Sequence, residues 1–162
     1  MVWPPDSPWS PWWRTNGNVA RAIIQTAKIT KDDFLIDLGC GDGTALITAV
    51  KLKGAKGVGV EIDPSRVAIA KFRVIFSQLQ DKVHIRKGDL FAEDISQASV
   101  VIVYLIPKAL NRLEEKFRKE LTPGTRIVSY VYPITYFPEI ARDSKNQVYV
   151  YEVPQIKKTK TV

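Results

Sequence analysis

A chain of 162 residues, 45% of them hydrophobic, is long enough for one domain with its own core. Its single cysteine excludes an intrachain disulfide and fits a reducing compartment. No His/Cys/Asp/Glu set has metal-ligand spacing, no Ser/His/Asp set is visible, and the formal net charge of +7 suits acidic partners.

All four tryptophans fall within Trp3-Pro-Pro-Asp-Ser-Pro-Trp9-Ser-Pro-Trp12-Trp13. Prolines in the same window bar regular structure and favour extended geometry. Three placements are open for these rings: over a bound ligand at a substrate entrance, packed onto the domain, or at a membrane interface beside Arg14. No apolar run reaches the ~18 residues of a membrane span, and there is no secretory signal pattern. A cytoplasmic protein is expected, with contact to a membrane surface left open.

From there the chain alternates. A helix over Asn18–Lys28 precedes strand Phe34–Leu38, a glycine turn, helix Thr44–Lys53 and strand Gly57–Glu61. Asp63 as N-cap and Pro64 at the first helical position start a helix expected to run to Gln80. Strand Lys82–Lys87, a short segment about Glu93–Gln97 and strand Val100–Leu105 follow. Helix Lys108–Glu120 buries Leu110, Leu113 and Phe117 and leaves its charged side in water. Thr122-Pro123-Gly124 leads into strand Arg126–Val131, and after about fifteen ill-defined residues comes strand Gln147–Val153. The pattern is that of an α/β, Rossmann-like doubly wound sheet, mainly parallel, with helices on both faces and an antiparallel C-terminal strand. Residues 1–162 form one domain, which includes the Trp/Pro-rich segment 1–17 and the basic tail 155–162 with Lys157, Lys158 and Lys160.

The strongest local signal is Phe34-Leu-Ile-Asp37-Leu-Gly39-Cys40-Gly41-Asp-Gly43-Thr44, a buried strand ending at an acid, then a glycine turn and a helix. Dinucleotide sites prefer G-x-G-x-x-G with a pyrophosphate at the helix N-terminus. Here an acid stands two residues before the first glycine, which opposes an anion and favours a cationic ligand. Two further acids end the next strands. Glu61, eighteen residues beyond Gly43, stands where a carboxylate accepts ribose hydroxyls, and Gly88-Asp89-Leu90-Phe91 follows the third strand. A lone carboxylate after a strand is usually a cap or a solvated turn, but three in register suggest one site.

This set resembles the class I S-adenosylmethionine-dependent methyltransferases. The resemblance implies S-adenosylmethionine as cofactor, held by Asp37, Gly39, Cys40, Gly41, Gly43, Thr44, Glu61, Ile62, Asp89 and Leu90, with Thr15 from the segment before the first helix. Asp89 would accept from the adenine amino group. Cys40 reads as a small spacer rather than a nucleophile, and the lone His84 as structural. Within the class, the chain is similar to the small archaeal protein lysine methyltransferases and to the lysine methyltransferases of the ATP synthase c subunit. The shared marks are Pro11-Trp12-Trp13-Arg14-Thr15, the strand Val101-Ile-Val-Tyr104-Leu-Ile-Pro107, and Leu121-Thr-Pro-Gly-Thr-Arg-Ile-Val-Ser129. The first departs from the family's P-[FY]-V-P-T at Trp13 and Arg14.

That likeness implies a protein substrate carrying a target lysine. The amine must lose a proton from an unperturbed pKa of roughly 10.4, and a dry aromatic pocket helps it do so. Tyr104 is the candidate catalytic residue. Tyr130 and Tyr132, placed on one face by strand alternation, and Trp12 and Trp13 are candidates for the acceptor surface. An Asn/Asp-Pro-Pro-Tyr motif, used on bases and glutamine, is absent after the fourth strand. Positive charge with aromatics also suits RNA, so an RNA methyltransferase is the alternative enzyme. The remaining alternative is a catalytically silent cofactor-binding module.

Overall fold

The computed structural model describes residues 15–155. Trp12, Trp13 and the lysines of the basic tail lie outside the described residues. The elements run α1 (Gly17–Thr26), β1 (Phe34–Leu38), α2 (Thr44–Lys53), β2 (Lys56–Glu61), α3 (Pro64–Phe76), β3 (Val83–Lys87), β4 (Val100–Val103), α4 (Pro107–Glu120), β5 (Arg126–Tyr130), β6 (Glu139–Asp143) and β7 (Val148–Glu152). They build one seven-stranded sheet in the order β3-β2-β1-β4-β5-β7-β6. The first five strands in that order are parallel; β7 runs antiparallel to β5 and to β6.

The two faces are covered unequally. Apolar residues of α1, α2 and α3 pack together on one face with Leu35, Ile85, Ile102 and Val128. The other face is covered by α4 alone among the helices, with Ile95, Ile134 and Phe137 from irregular segments completing it over Ile36, Val58 and Val101. The doubly wound expectation holds, with a thinner second layer. In β2 the strand glycines are steric requirements. A Cβ on Gly57 would lie 2.5 Å from the Leu35 carbonyl oxygen, and one on Gly59 would lie 2.7 Å from the Cys40 sulfur.

Two helices stop short of their expected ends for the same reason. Lys28 and Gln78 adopt positive φ, and the chain closes back on each helix. The N–H groups of Ile29 and Leu79 donate to the carbonyls of Ile24 and Val74, and those of Lys28 and Gln78 donate to Gln25 and Ile75. This paired arrangement ends helices, most often with glycine at the left-handed position. Lysine and glutamine there give no sequence signal, so the pattern alone carries α1 on to Lys28 and α3 to Gln80. The fifteen ill-defined residues contain β6, an exposed edge strand with a register irregularity between Glu139 and Ala141. It lacks the apolar alternation that marks a half-buried strand.

At the amino edge of the sheet, buried Asp33 pairs with Arg126 and accepts from Ser99 Oγ (2.7 Å) and the Thr30 N–H (2.8 Å). Burial would raise its pKa, but these hydrogen bonds and the guanidinium outweigh it and hold the carboxyl below its ordinary value.

Candidate active site

Strand register lays out the opposite edge. Leu38 pairs with Val60 on one side and Val103 on the other, and Val103 pairs with Ser129. The next residue on each strand therefore falls in one row: Glu61 on β2, Gly39 after β1, Tyr104 after β4 and Tyr130 on β5. Gly88 and Asp89 extend the row beyond β3, where Lys87 pairs with Glu61. Parallel strands with crossover connections gather their loops at this carboxyl edge, which is where such sheets bind ligands.

The glycine turn is organised around β2. Gly39, Gly41 and Gly43 all have positive φ, a backbone open to glycine at little cost. The N–H groups of Gly39 and Cys40 both donate to the Val60 carbonyl (2.8 and 3.0 Å), and that of Gly43 to the Cys40 carbonyl. Gly41 N–H donates to Glu61 Oε2 at 2.9 Å, while Glu61 Oε1 accepts from Ile62 (2.9 Å) and Asp63 (3.0 Å). The N–H groups of Gly39, Cys40, Gly41 and Gly43 are thus taken up within the fold and are not available to a phosphate. A Cβ on Gly41 would meet nothing within 4 Å.

The acids differ in state. Asp37 is buried, and among the described residues nothing donates a hydrogen bond to its carboxyl. Burial, with the negative charges of Glu61 and Asp42 adding to it, pushes its pKa up to about 7. Asp89 is exposed and caps its own turn, accepting from the Phe91 N–H at 2.9 Å. Ile62, next after β2, is exposed, and Leu90 and Phe91, next after Asp89, are half-buried, with the Arg112 guanidinium 4.0 Å from the Phe91 ring centre.

Thr44 opens α2, whose N-cap, Gly43, has no side chain. Its hydroxyl bonds Asp42 Oδ1 (2.6 Å) and accepts from Arg73 Nη1 (2.7 Å). Arg73, reaching over from α3, also donates to the Asp42 carbonyl and pairs with its carboxylate at 2.7 Å. Sequence reasoning missed this clamp because its partners are some thirty residues apart. The Cys40 thiol is buried, and burial with Asp37, Glu61 and Asp42 raises its pKa well above the ordinary value, leaving it a spacer packed into the notch at Gly59. Thr15, the first described residue, is half-buried.

The aromatic half is irregular. Tyr104 and Tyr130 meet with ring centres 4.6 Å apart. Tyr132 does not share a face with Tyr130 by strand alternation, contrary to the sequence pattern. The strand stops at Tyr130, and Val131 turns to φ 70. The Tyr132 N–H then donates to the Tyr130 carbonyl at 2.9 Å, and Ser129 Oγ donates to the Tyr132 carbonyl. Tyr130 packs with the α1–α3 layer and Tyr132 with the α4 layer. Both still bear on Tyr104, whose pKa is raised by burial and by these two tyrosines. The structure therefore brings Tyr104 and Tyr130 into ring contact, with Tyr132 on the other layer acting on Tyr104 through its charge.

Among the described residues no group of His, Cys, Asp or Glu could hold a metal ion, and no helix is long and apolar enough to cross a membrane. Comparison with known proteins gives matches to methyltransferases. The profile of the ANTKMT methyltransferase domain matches residues 37–141. A protein-lysine N-methyltransferase of Saccharolobus islandicus is 39% identical over 83% of this chain and 82% of its own length. The Homo sapiens lysine N-methyltransferase of the ATP synthase c subunit is 30% identical over 64% of this chain, which spans 44% of that protein. A solved RNA methyltransferase of Salinibacter ruber, in complex with S-adenosyl-L-homocysteine, superposes with a TM-score of 0.85 at 35% identity. It covers 90% of this chain, which covers 97% of it.

Proposed function

The chain belongs to the ANTKMT methyltransferase domain family, and from that membership and the site we propose a protein-lysine N-methyltransferase that uses S-adenosylmethionine. The residues fit that cofactor. A buried acid with no donor among the described residues suits a cationic ligand, and turn donors directed inward disfavour a pyrophosphate. Asp37 and the turn Gly39–Thr44 would hold the charged end. Glu61, Asp89, Ile62 and Leu90 would hold the nucleoside, and half-buried Phe91, next to Leu90, would join them. Thr15 would close the site from the N-terminal side. A carboxylate has about four acceptor positions; three backbone bonds already engage Glu61, so it has room for about one hydroxyl. When bound, S-adenosylmethionine supplies an electrophilic methyl group for in-line displacement, a reaction that needs positioning and exclusion of water.

The observation that carries the acceptor reading is the ring contact of Tyr104 with Tyr130 at the carboxyl edge, with Tyr132 close enough to act on Tyr104. Their faces attract an ammonium while the apolar surroundings favour its neutral form. Tyr104 stays a neutral phenol, so its oxygen can accept a hydrogen bond from the incoming amine without adding charge. The relative from S. islandicus supports lysine. The neighbour from S. ruber, an RNA methyltransferase by name, and the net charge of +7 support RNA as the second reading. Contact with a membrane has no support at this site; the surface that bears on it is α3.

The test is incubation with methyl-labelled S-adenosylmethionine and a source lysate, membranes included, followed by separate protease and RNase treatment. Label lost to protease and located on lysine supports the proposal. Label lost to RNase overturns it in favour of RNA, and cofactor binding with no label transferred leaves the silent module.

A further inference from the structure

Helix α3 has an outward side that its neighbours do not explain. Val67, Ala70 and Val74 bury its inner side. Opposite them Ile69, Phe72, Ile75 and Phe76 are 50%, 67%, 57% and 81% exposed, and the Phe72 and Phe76 rings stack 6.3 Å apart. At 100° per residue Phe72, Phe76 and Ile69 form the crest, with Ala68 and Ile75 beside it. Four of the seven large hydrophobic side chains exposed among the described residues lie on this one helix. Residues 64–80 hold Arg66, Lys71 and Arg73 and no acidic residue; Arg73 is paired with Asp42 and Arg66 lies near the N-cap Asp63, so the net charge along the flanks is positive.

We propose that α3 is a docking surface for an anionic lipid bilayer, the crest entering the headgroup–acyl boundary while Arg66 and Lys71 reach phosphates on either side. Charge and shape favour this occupant. A second copy would meet the crest through a two-fold contact, bringing like charges together. One helix crest offers on the order of a few hundred Å², against about 800 Å² per partner in a standard interface. Stacking on nucleic-acid bases wants aromatic platforms, whereas two of the four exposed side chains, Ile69 and Ile75, are branched aliphatic. An apolar ridge flanked by long cationic side chains is the pattern of a helix lying in the plane of a membrane surface. The α3 N-terminus starts three residues beyond Glu61, so a helix lying in that plane keeps the carboxyl edge of the sheet beside the membrane.

Co-sedimentation of the full chain with vesicles tests this. Vesicles with 30% phosphatidylserine in phosphatidylcholine should bind at least tenfold more tightly than pure phosphatidylcholine, and salt should weaken the binding. The double variant F72S/F76S should lose at least tenfold, and K71E several-fold, with melting temperature and S-adenosylhomocysteine affinity unchanged. Cys40 is buried, so an environment-sensitive dye on F72C labels the crest alone, and its emission should shift to the blue on anionic vesicles. No vesicle binding, binding that survives F72S/F76S, or a dye that keeps its aqueous emission while the protein sediments would each overturn the proposal. So would a concentration-dependent dimer, or RNA binding, that F72S/F76S abolishes.

Discussion

The carboxyl edge of the sheet divides into two halves built by different means. On β1, β2 and β3, regular register places Asp37, Glu61 and Asp89, and a hydrogen bond from the glycine turn fixes Glu61. On β4 and β5, register places only Tyr104 and Tyr130; Tyr132 arrives through a backbone reversal at Val131. The acidic half is a product of the fold, and the aromatic half of a local departure from it. The division matches the chemistry, because a family can share a cofactor while its acceptors differ.

If the halves are separable, substitutions in one should leave the other's readout alone. Glu61→Ala should have the largest effect. It removes the acceptor for the Gly41, Ile62 and Asp63 N–H groups, and charged hydrogen bonds contribute about 1.5–3 kcal/mol each. S-adenosylhomocysteine affinity by calorimetry should fall about 100-fold, with a lowered melting temperature, while acceptor KM at saturating cofactor changes little. A wild-type affinity would remove Glu61 from the site.

Asp37→Asn should split stability from binding. The folded pKa of about 7 lies above the ordinary 3.8. The folded state therefore holds the extra proton between those values, and stability declines as pH rises from about 4 to about 7. The full cost is roughly 4 kcal/mol at most. Asn should flatten that decline and raise the melting temperature at pH 8, yet weaken cofactor about tenfold. In the native protein, cofactor binding below pH 7 should release a proton, read from calorimetry in buffers of different ionisation heat. A melting temperature independent of pH in both proteins would contradict a buried, perturbed Asp37.

Tyr104→Phe belongs to the other half. Cofactor affinity should stay within about twofold, while kcat falls about tenfold, as for loss of a hydrogen bond of about 1.4 kcal/mol made to the acceptor. An equal loss in cofactor affinity would merge the two halves into one.

The acidic half was legible because its signals are local. A strand, an acid and a glycine turn stand together in Phe34–Thr44, and Glu61 and Asp89 recur at strand ends. Longer-range features left no such trace. The Arg73 clamp joins α3 to Asp42 across the fold, and β6 is an exposed edge strand without apolar alternation. The helix ends at Lys28 and Gln78 use a left-handed residue without glycine. Tyr132 was misplaced for a similar reason, since valine is stiff and favours strands, and nothing in its identity announces a positive φ.

Val131 is therefore the sharpest probe of the aromatic half, although its effect should be the smallest. A β-branched residue at φ 70 is an outlier that costs of order 1–3 kcal/mol. It is held by its own N–H donating to the Gln147 carbonyl at 2.8 Å and by the Tyr132-to-Tyr130 hydrogen bond. Val131→Gly relieves the strain but frees the unfolded chain by roughly 0.5–1 kcal/mol, so stability should move little. Strain that only terminates a strand predicts nothing further. Strain that sets the angle between Tyr130 and Tyr132 predicts that the glycine variant, with a looser turn, raises acceptor KM about threefold at unchanged cofactor affinity. Val131→Asn, which tolerates positive φ better than valine and keeps a side chain, should restore most of the loss. Unaltered acceptor kinetics in both variants would show that the reversal places Tyr132 for packing against the α4 layer and has no part in acceptor binding.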